Sequence, residues 1–132
     1  MDDIYLGKNG VIEMVKFLPF EQTVLSLNRN GIGNGGTIEL AENLPPSLRH
    51  LNLINNRIGV EGAISLSQNL PPNLESLNLS NNILGDNGII VLAENLPHSL
   101  THLYLTNNRI THLGITALEN IANNNPNLNI IF

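Results

Sequence analysis

The sequence predicts a right-handed α/β solenoid, a shallow arc with short parallel strands on its concave side and helices on its convex side. The stretch LRHLNLINNRIG begins at Leu48 and returns, with substitutions, at Leu74 and Leu100, a spacing of 26 residues. Each copy opens with an alternating Leu-x-Leu segment, which is typical of a short strand. A segment with apolar residues at helical spacing follows it. Self-similarity at such a period is the sequence signature of a repeat architecture.

The chain of 132 residues is long enough for one domain with a substantial core. We interpret it as a single domain of stacked repeats. Its predicted units are an atypical N-terminal capping repeat at 1–21, full repeats at 22–47, 48–73, 74–99 and 100–127, and the start of a further, incomplete repeat at 128–132.

The strand of each unit is predicted where two leucines alternate with polar residues, as at Leu51 and Leu53, because alternate strand residues face the same side. An asparagine follows each strand. The four equivalent residues are Asn30, Asn56, Asn82 and Asn108. A buried amide side chain can bond backbone groups that no sheet pairs, so the stacked asparagines predict a hydrogen-bonded ladder.

The helix of each unit is predicted after a glycine such as Gly62, in segments such as GAISLSQNL, where Leu66 and Leu70 lie one turn apart. The Pro71-Pro72 pair then ends the helix, because proline lacks the backbone N–H that a helix interior requires.

The two ends depart from this pattern. Ile4, Leu6 and Asn9 are interpreted as a first strand and turn, followed by a shortened helix near residues 12–18. At the other end, Leu128 and Ile131 are interpreted as the first two leucine positions of another strand, two residues late. We expect the chain to be a fragment of a longer protein. The alternative is a short natural protein whose last strand is its cap.

The pattern L-x-x-L-x-L-x-x-N-x-I-G-x-x-G-x-x-x-L-A-x-x-L resembles the leucine-rich repeat family, and within it the ribonuclease-inhibitor-type subclass, over residues 22–131. This resemblance implies a helix in every repeat and a role in protein–protein recognition. The subclass includes inhibitors, innate immune receptors, GTPase activators of the Ran type and effectors that intracellular bacteria secrete into host cells. The LPPSL-like joints and the lack of cysteine resemble the bacterial type.

Composition excludes several classes of function. The chain has no cysteine, which rules out disulfides and thiolate chemistry, and its net charge of −5 argues against nucleic-acid binding. No apolar run approaches a membrane span, and MDDIYLGKNG has no Sec signal pattern. We therefore expect a cytoplasmic protein, or one delivered to a host cytosol by a non-Sec route, with neither a nucleic-acid nor a membrane partner.

No catalytic, metal or cofactor site is predicted. His50 and His102 share a column two strands apart, about 10 Å, which is too far for one metal ion. No serine lies in a G-x-S-x-G setting, and the GIGNGG at residues 31–36 lacks the Lys-Ser/Thr of a phosphate-binding loop. We therefore predict that the protein is not an enzyme and binds no cofactor.

A partner site is predicted on the concave face, from the strand residues that point away from the leucine core and from the adjacent turns. These residues are Tyr5, His50, Asn52, Ile54, Asn78, His102 and Tyr104. The rim of this face adds Arg29, Arg57 and Arg109. Tyrosine suits recognition because it offers apolar area with a hydrogen-bonding tip, although strand propensity also explains its presence.

Charge is divided between the two sides of the predicted solenoid. Most acidic residues fall in the helices, whereas all basic residues except Lys16 are assigned to the strand side. A neutral or mildly acidic partner fits this distribution.

These observations predict a non-catalytic module that binds a protein partner through its concave face. Two alternatives stay open. One is the repeat module of a bacterial effector that targets a host protein, with any activity in a missing region. The other is a GTPase-activator-like regulator that acts through the rim arginines. Self-association through the C-terminal edge strand is a further hypothesis.

Overall fold

The computed structural model describes residues 4–132, in which helices and strands alternate. The helices are α1 (Gly7–Val15), α2 (Gly33–Ala41), α3 (Val60–Asn69), α4 (Gly85–Ala93) and α5 (His112–Asn124). The strands are β1 (Val24–Ser26), β2 (His50–Asn52), β3 (Ser76–Asn78), β4 (His102–Tyr104) and β5 (Asn129–Ile131). The five strands form one parallel sheet in chain order, and each helix packs against the next. The predicted α/β solenoid is confirmed.

The core lies between the sheet and the helices. The central residue of each of the first four strands is a leucine that is at most 4% exposed: Leu25, Leu51, Leu77 and Leu103. From the helices, Leu40, Leu66, Leu92 and Leu118 meet them. A strand of only three residues is marginal by itself, so the stacking of neighbours stabilises each repeat.

The predicted asparagine ladder is confirmed. Asn82 Oδ1 accepts hydrogen bonds from the backbone N–H groups of Asn56 (2.9 Å) and Ile58 (3.0 Å) in the preceding repeat. Its Nδ2 donates to the carbonyls of Leu53 (3.0 Å) and Leu79 (2.9 Å). All four ladder asparagines are buried. Each therefore satisfies backbone groups in a turn that the sheet leaves unpaired.

The predicted first strand is wrong for the described residues. Residues 4–6 form no strand, and α1 begins at Gly7 rather than near residue 12. The backbone N–H of Leu6 donates to Asn30 Oδ1 (3.1 Å), just as the N–H of Ile58 donates to Asn82 Oδ1. Leu6 thus occupies the place of Ile58, two repeats of 26 residues earlier. The predicted register of the first unit was wrong because Asn9, an exposed residue of α1, was assigned as a ladder asparagine.

The last strand also differs from its predicted register. In β5, Ile130 pairs with Leu103 and Ile131 with Tyr104, so the strand is one residue late instead of two. Ile130 is therefore the inward residue, and Ile131 is 42% exposed. Helix α5 has 13 residues where the other helices have 9 or 10, and this longer helix accommodates the shift. The exact repeat boundaries stay a prediction.

Candidate functional site

The side of the sheet away from the leucine core carries two rows of side chains, because alternate strand residues point the same way. We call this surface the strand face. Its first row is Val24, His50, Ser76, His102 and Asn129. Its second row is Ser26, Asn52, Asn78, Tyr104 and Ile131.

The structure brings five of the predicted site residues together on this face. His50 and His102 are exposed, and Asn52, Asn78 and Tyr104 are half-buried. The rings of His102 and Tyr104 stack with centroids 6.2 Å apart and an interplanar angle of 15°. His102 Nδ1 also lies 2.9 Å from Thr101 Oγ1. These contacts orient the two rings as one aromatic surface.

A shallow cavity of about 190 Å³ lies between the two rows. Its lining includes Val24, His50, Asn78 and Tyr104. Asn52 also lines it, and its buried Oδ1 has no hydrogen-bond partner within residues 4–132. Ile54 follows β2, is half-buried, and donates its N–H to Asn28 Oδ1 (3.0 Å). The cavity therefore combines apolar surface with side-chain amide and hydroxyl groups, beside an aromatic ring.

Tyr5 is not on the strand face. It precedes α1, with a left-handed φ of 54° and 69% of its surface exposed. Its ring lies so close to Gly31 that a Cβ on this glycine would be 2.7 Å from Tyr5 Cε2. The predicted column holding both tyrosines is therefore wrong, since Tyr5 is equivalent to Arg57 and not to Tyr104.

The three predicted rim arginines lie in the turns after the strands, and all are exposed. Arg29 precedes its ladder asparagine, whereas Arg57 and Arg109 follow theirs. The φ angles are 56°, 59° and 58°, respectively, so all three residues have the left-handed conformation. Lys8, which the sequence assigned to the strand side, lies in α1.

Two helices are capped from the preceding repeat, which sequence reasoning missed. Asn34 Oδ1 accepts from the N–H groups of Gly59 (2.7 Å) and Gly62 (3.1 Å), at the start of α3. The sequence signal for these caps was a polar residue directly after a glycine. It occurs at Gly33-Asn34 and again 52 residues later at Gly85-Asp86, and both glycines are left-handed.

Asp86 caps α5 in the same way. Its Oδ1 accepts from the N–H groups of Thr111 (2.8 Å) and Gly114 (3.0 Å), and its Oδ2 accepts from the Thr111 hydroxyl. The hydroxyl bond, and then these N–H groups, lower the pKa of Asp86 below its ordinary value. The ionised carboxylate is therefore the form that the folded chain favours.

Asp86→Asn is expected to make the chain less sensitive to acid. A carboxylate with a depressed folded pKa contributes stability above its unfolded pKa, about 4, and this stability is lost as the pH falls through the folded pKa. We expect urea unfolding between pH 6 and about pH 3 to show a larger loss for wild type than for Asp86→Asn, which keeps an Oδ1 acceptor as Asn34 does. Parallel pH profiles would contradict this role.

A second surface, the end groove, lies beside α1 and β1 and has a volume of about 590 Å³. Its walls include Leu6, Met14, Phe17, Leu18 and Val24. Phe17 is 81% exposed. The sequence signal for this surface was the aromatic residue Phe17. It stands where the inner repeats have Asn43, Asn69 and Asn95, each of which bonds a carbonyl of its own helix.

Comparison with known proteins places this repeat in a family. A model described as "Leucine Rich repeat" matches residues 45–67 and 71–93, and another described as "Leucine Rich Repeat" matches residues 99–121. The three segments of 23 residues cover 69 of the 132 residues. The chain belongs to the leucine-rich repeat family. The family predicted from the sequence is confirmed.

The leucine-rich repeat fold is also that of a solved structure described as "Leiomodin-1 Actin-Binding Site 2 (ABS2)". The superposition has a TM-score of 0.77 at 23% sequence identity, and covers 92% of this chain and 75% of that chain. At this identity the likeness shows the fold alone. No curated protein matches the sequence.

Within residues 4–132, no three histidine, aspartate or glutamate side chains are grouped so that they could hold a metal ion. No helix of this part of the chain has the length and apolar character needed to cross a membrane.

Proposed function

We propose that this leucine-rich repeat chain is a non-catalytic protein-interaction module that binds a protein partner through the strand face and the adjacent turns. The observation that carries the proposal is the strand face itself. Its two rows hold exposed and half-buried polar and aromatic side chains in register on a rigid sheet. Rigid scaffolds that present variable side chains are typical of recognition surfaces.

The side chains of this face suit protein recognition. The stacked rings of His102 and Tyr104 offer apolar area with polar tips, as the aromatic anchors of interfaces do. Asn52 and Asn78 add amide groups that can donate and accept hydrogen bonds beside the rings. A partner can therefore bury an aromatic contact and make directional polar contacts at one place.

The finer assignments are part of the proposal. The ribonuclease-inhibitor-type subclass is supported by the α-helix of 9 to 13 residues in every unit. Self-association through β5 is supported by the exposure of Ile131 (42%) and Phe132 (50%). The bacterial-effector and GTPase-activator alternatives stay predictions, as does the location of the protein in a cytoplasm or a host cytosol.

The strand-face variant Asn78→Ala, His102→Ala, Tyr104→Ala is expected to lose its partner. The baits would be the wild type, this variant and a control variant, Glu42→Ala with Glu94→Ala at the ends of α2 and α4. Each bait would be tested in cell lysate and against purified actin. Actin is included because the solved structure above is described as an actin-binding site. Mass spectrometry should recover a partner from wild type and control at least about tenfold above the variant, since interface anchors each contribute about 1–2 kcal/mol or more.

Circular dichroism and unfolding curves would verify that the triple variant folds, as exposed and half-buried positions should allow. A partner that all three baits capture equally would rule out the strand face as the site. Sedimentation of the wild type over a range of concentrations tests self-association, and a monomer throughout would exclude it.

A further inference from the structure

Two arginines on the turn edge of the sheet occupy equivalent positions two repeats apart. Arg57 and Arg109 each follow a buried ladder asparagine, and both are exposed. Within residues 4–132 neither takes part in an ion pair. Arg49 provides a contrast, since its Nη1 lies 2.6 Å from Glu75 Oε1.

The same local structure positions both arginines. Each has a left-handed backbone, with φ of 59° at Arg57 and 58° at Arg109, a conformation that side chains other than asparagine and glycine rarely adopt. The residue two positions later is extended, with φ of −109° at Gly59 and −102° at Thr111. The caps described above hold these extended residues.

The turn between them differs in this geometry. There Ile83, the residue equivalent to the arginines, is not left-handed, whereas Gly85 two positions later is, with φ of 63°. Two turns of the solenoid therefore present an arginine from the same left-handed backbone position, and the turn between them does not.

Two carboxylates close to the turns that carry the arginines already have partners. Glu61 Oε2, on the first turn of α3, accepts from Asn34 Nδ2 (2.9 Å). Asp86 is bonded to Thr111 and Gly114. The guanidinium groups are thus available to a ligand, and a guanidinium binds a carboxylate with two parallel hydrogen bonds.

The spacing of the two residues selects the ligand. Strands lie about 4.8 Å apart, so equivalent residues two strands apart are separated by about 10 Å. In a peptide with the polyproline II conformation, which has three residues per turn, residues three apart lie on the same face and are separated by about 9 Å. We propose that Arg57 and Arg109 form a two-point site for an extended acidic segment of a protein partner, with carboxylates on residues three apart.

This proposal rests on the proposed function and names the chemistry of the partner. A protein segment fits better than a nucleic acid, because the chain carries a net charge of −5 and would repel a continuous polyanion. Two isolated cationic points match two isolated carboxylates.

The test uses a six-residue probe peptide, Ser-Glu-Thr-Val-Glu-Ser with blocked ends, and a control peptide in which both glutamates are glutamine. Binding to the full chain is followed by NMR titration of the arginine Nε–Hε signals. We expect the glutamate peptide to bind about tenfold more tightly than the glutamine peptide at low salt, and this preference to disappear near 0.5 M NaCl.

Arg57→Asn with Arg109→Asn is expected to abolish the preference, because asparagine keeps the left-handed backbone and removes the charge. Arg49→Asn is the matched control, and it should retain the preference to within about twofold, since Arg49 already has an intramolecular partner. An unchanged preference in the double variant would overturn the proposal. So would equal binding of both peptides by wild type, or tighter binding of a ten-nucleotide oligothymidine through the same arginines.

Failure here is distinguishable from failure of the proposed function. If the strand-face variant loses its protein partner but the glutamate peptide shows no dependence on the arginines, the two-point site is wrong and the interaction face stands. If the peptide binds through the arginines but the strand-face variant keeps its partner, the two-point site stands and the strand face is not the interaction site.

Discussion

Replacing Asn82 with alanine is expected to lower the free energy of unfolding by about 4 kcal/mol, because three buried backbone groups lose their partner and each unsatisfied group costs about 1–3 kcal/mol. The groups are the N–H of Asn56, the N–H of Ile58 and the carbonyl of Leu53. The carbonyl of Leu79 also loses a bond from Asn82 but keeps one from Asn108 Nδ2 (2.8 Å). Alanine also leaves a small void, and the turn cannot rotate outward without breaking the strands on both sides. Native proteins have a free energy of unfolding of about 5–15 kcal/mol, so this loss is a large share of such a stability.

Urea unfolding monitored by circular dichroism measures this effect, with Asn81→Ala as the control. Asn81 is the next residue in the chain and is exposed, with φ of 59° and one hydrogen bond from Asn107 Nδ2 (2.8 Å). Its replacement should cost only about 1 kcal/mol, from the left-handed backbone and one exposed bond. Equal losses in the two variants would show that the ladder contributes no more than local turn propensity.

Leu77→Ala is expected to lower the free energy of unfolding by about 3 kcal/mol, because it opens a cavity in a core that has little freedom to collapse. Leu77 is the central residue of β3 and is fully buried, with strands paired on both sides. Thermal and urea unfolding would measure the change.

Ile83→Ala is the matched control for this core prediction. Ile83 lies in the following turn and is 41% exposed, so its loss should cost less than about 1.5 kcal/mol. If both variants lose the same stability, the repeat is not stabilised chiefly by its leucine core.

Much of the fold was predictable, because the leucine and asparagine positions serve the same role in every repeat. A residue such as Leu51 is buried on both flanks by copies of itself, so one recurring pattern determines its environment. The first unit was misread because Asn9 matches a ladder asparagine in residue type, and only the bond from the Leu6 N–H to Asn30 identifies the true register. Type alone does not distinguish a helix-surface asparagine from a buried one.

The candidate site was predictable to the extent that strand alternation determines it. His50, His102 and Tyr104 lie on the strand face because they alternate with inward leucines. The caps by Asn34 and Asp86 were not predictable, because their partners lie in the next repeat and depend on the conformation of two turns at once.

The asparagine ladder also has a direction. Each asparagine accepts from backbone N–H groups of the repeat before it. Asn82 Oδ1 accepts from the N–H of Asn56, and Asn56 Oδ1 accepts from the N–H of Asn30. When the repeat on the C-terminal side opens, its neighbour loses the asparagine that bonds its backbone N–H groups and one of its carbonyls. When the repeat on the N-terminal side opens, the ladder bonds that its neighbour loses are those of an asparagine side chain. The two directions of fraying are therefore not equivalent. A partner that clamps the C-terminal repeats would transmit order towards the N-terminus along the line of asparagines, one turn after another.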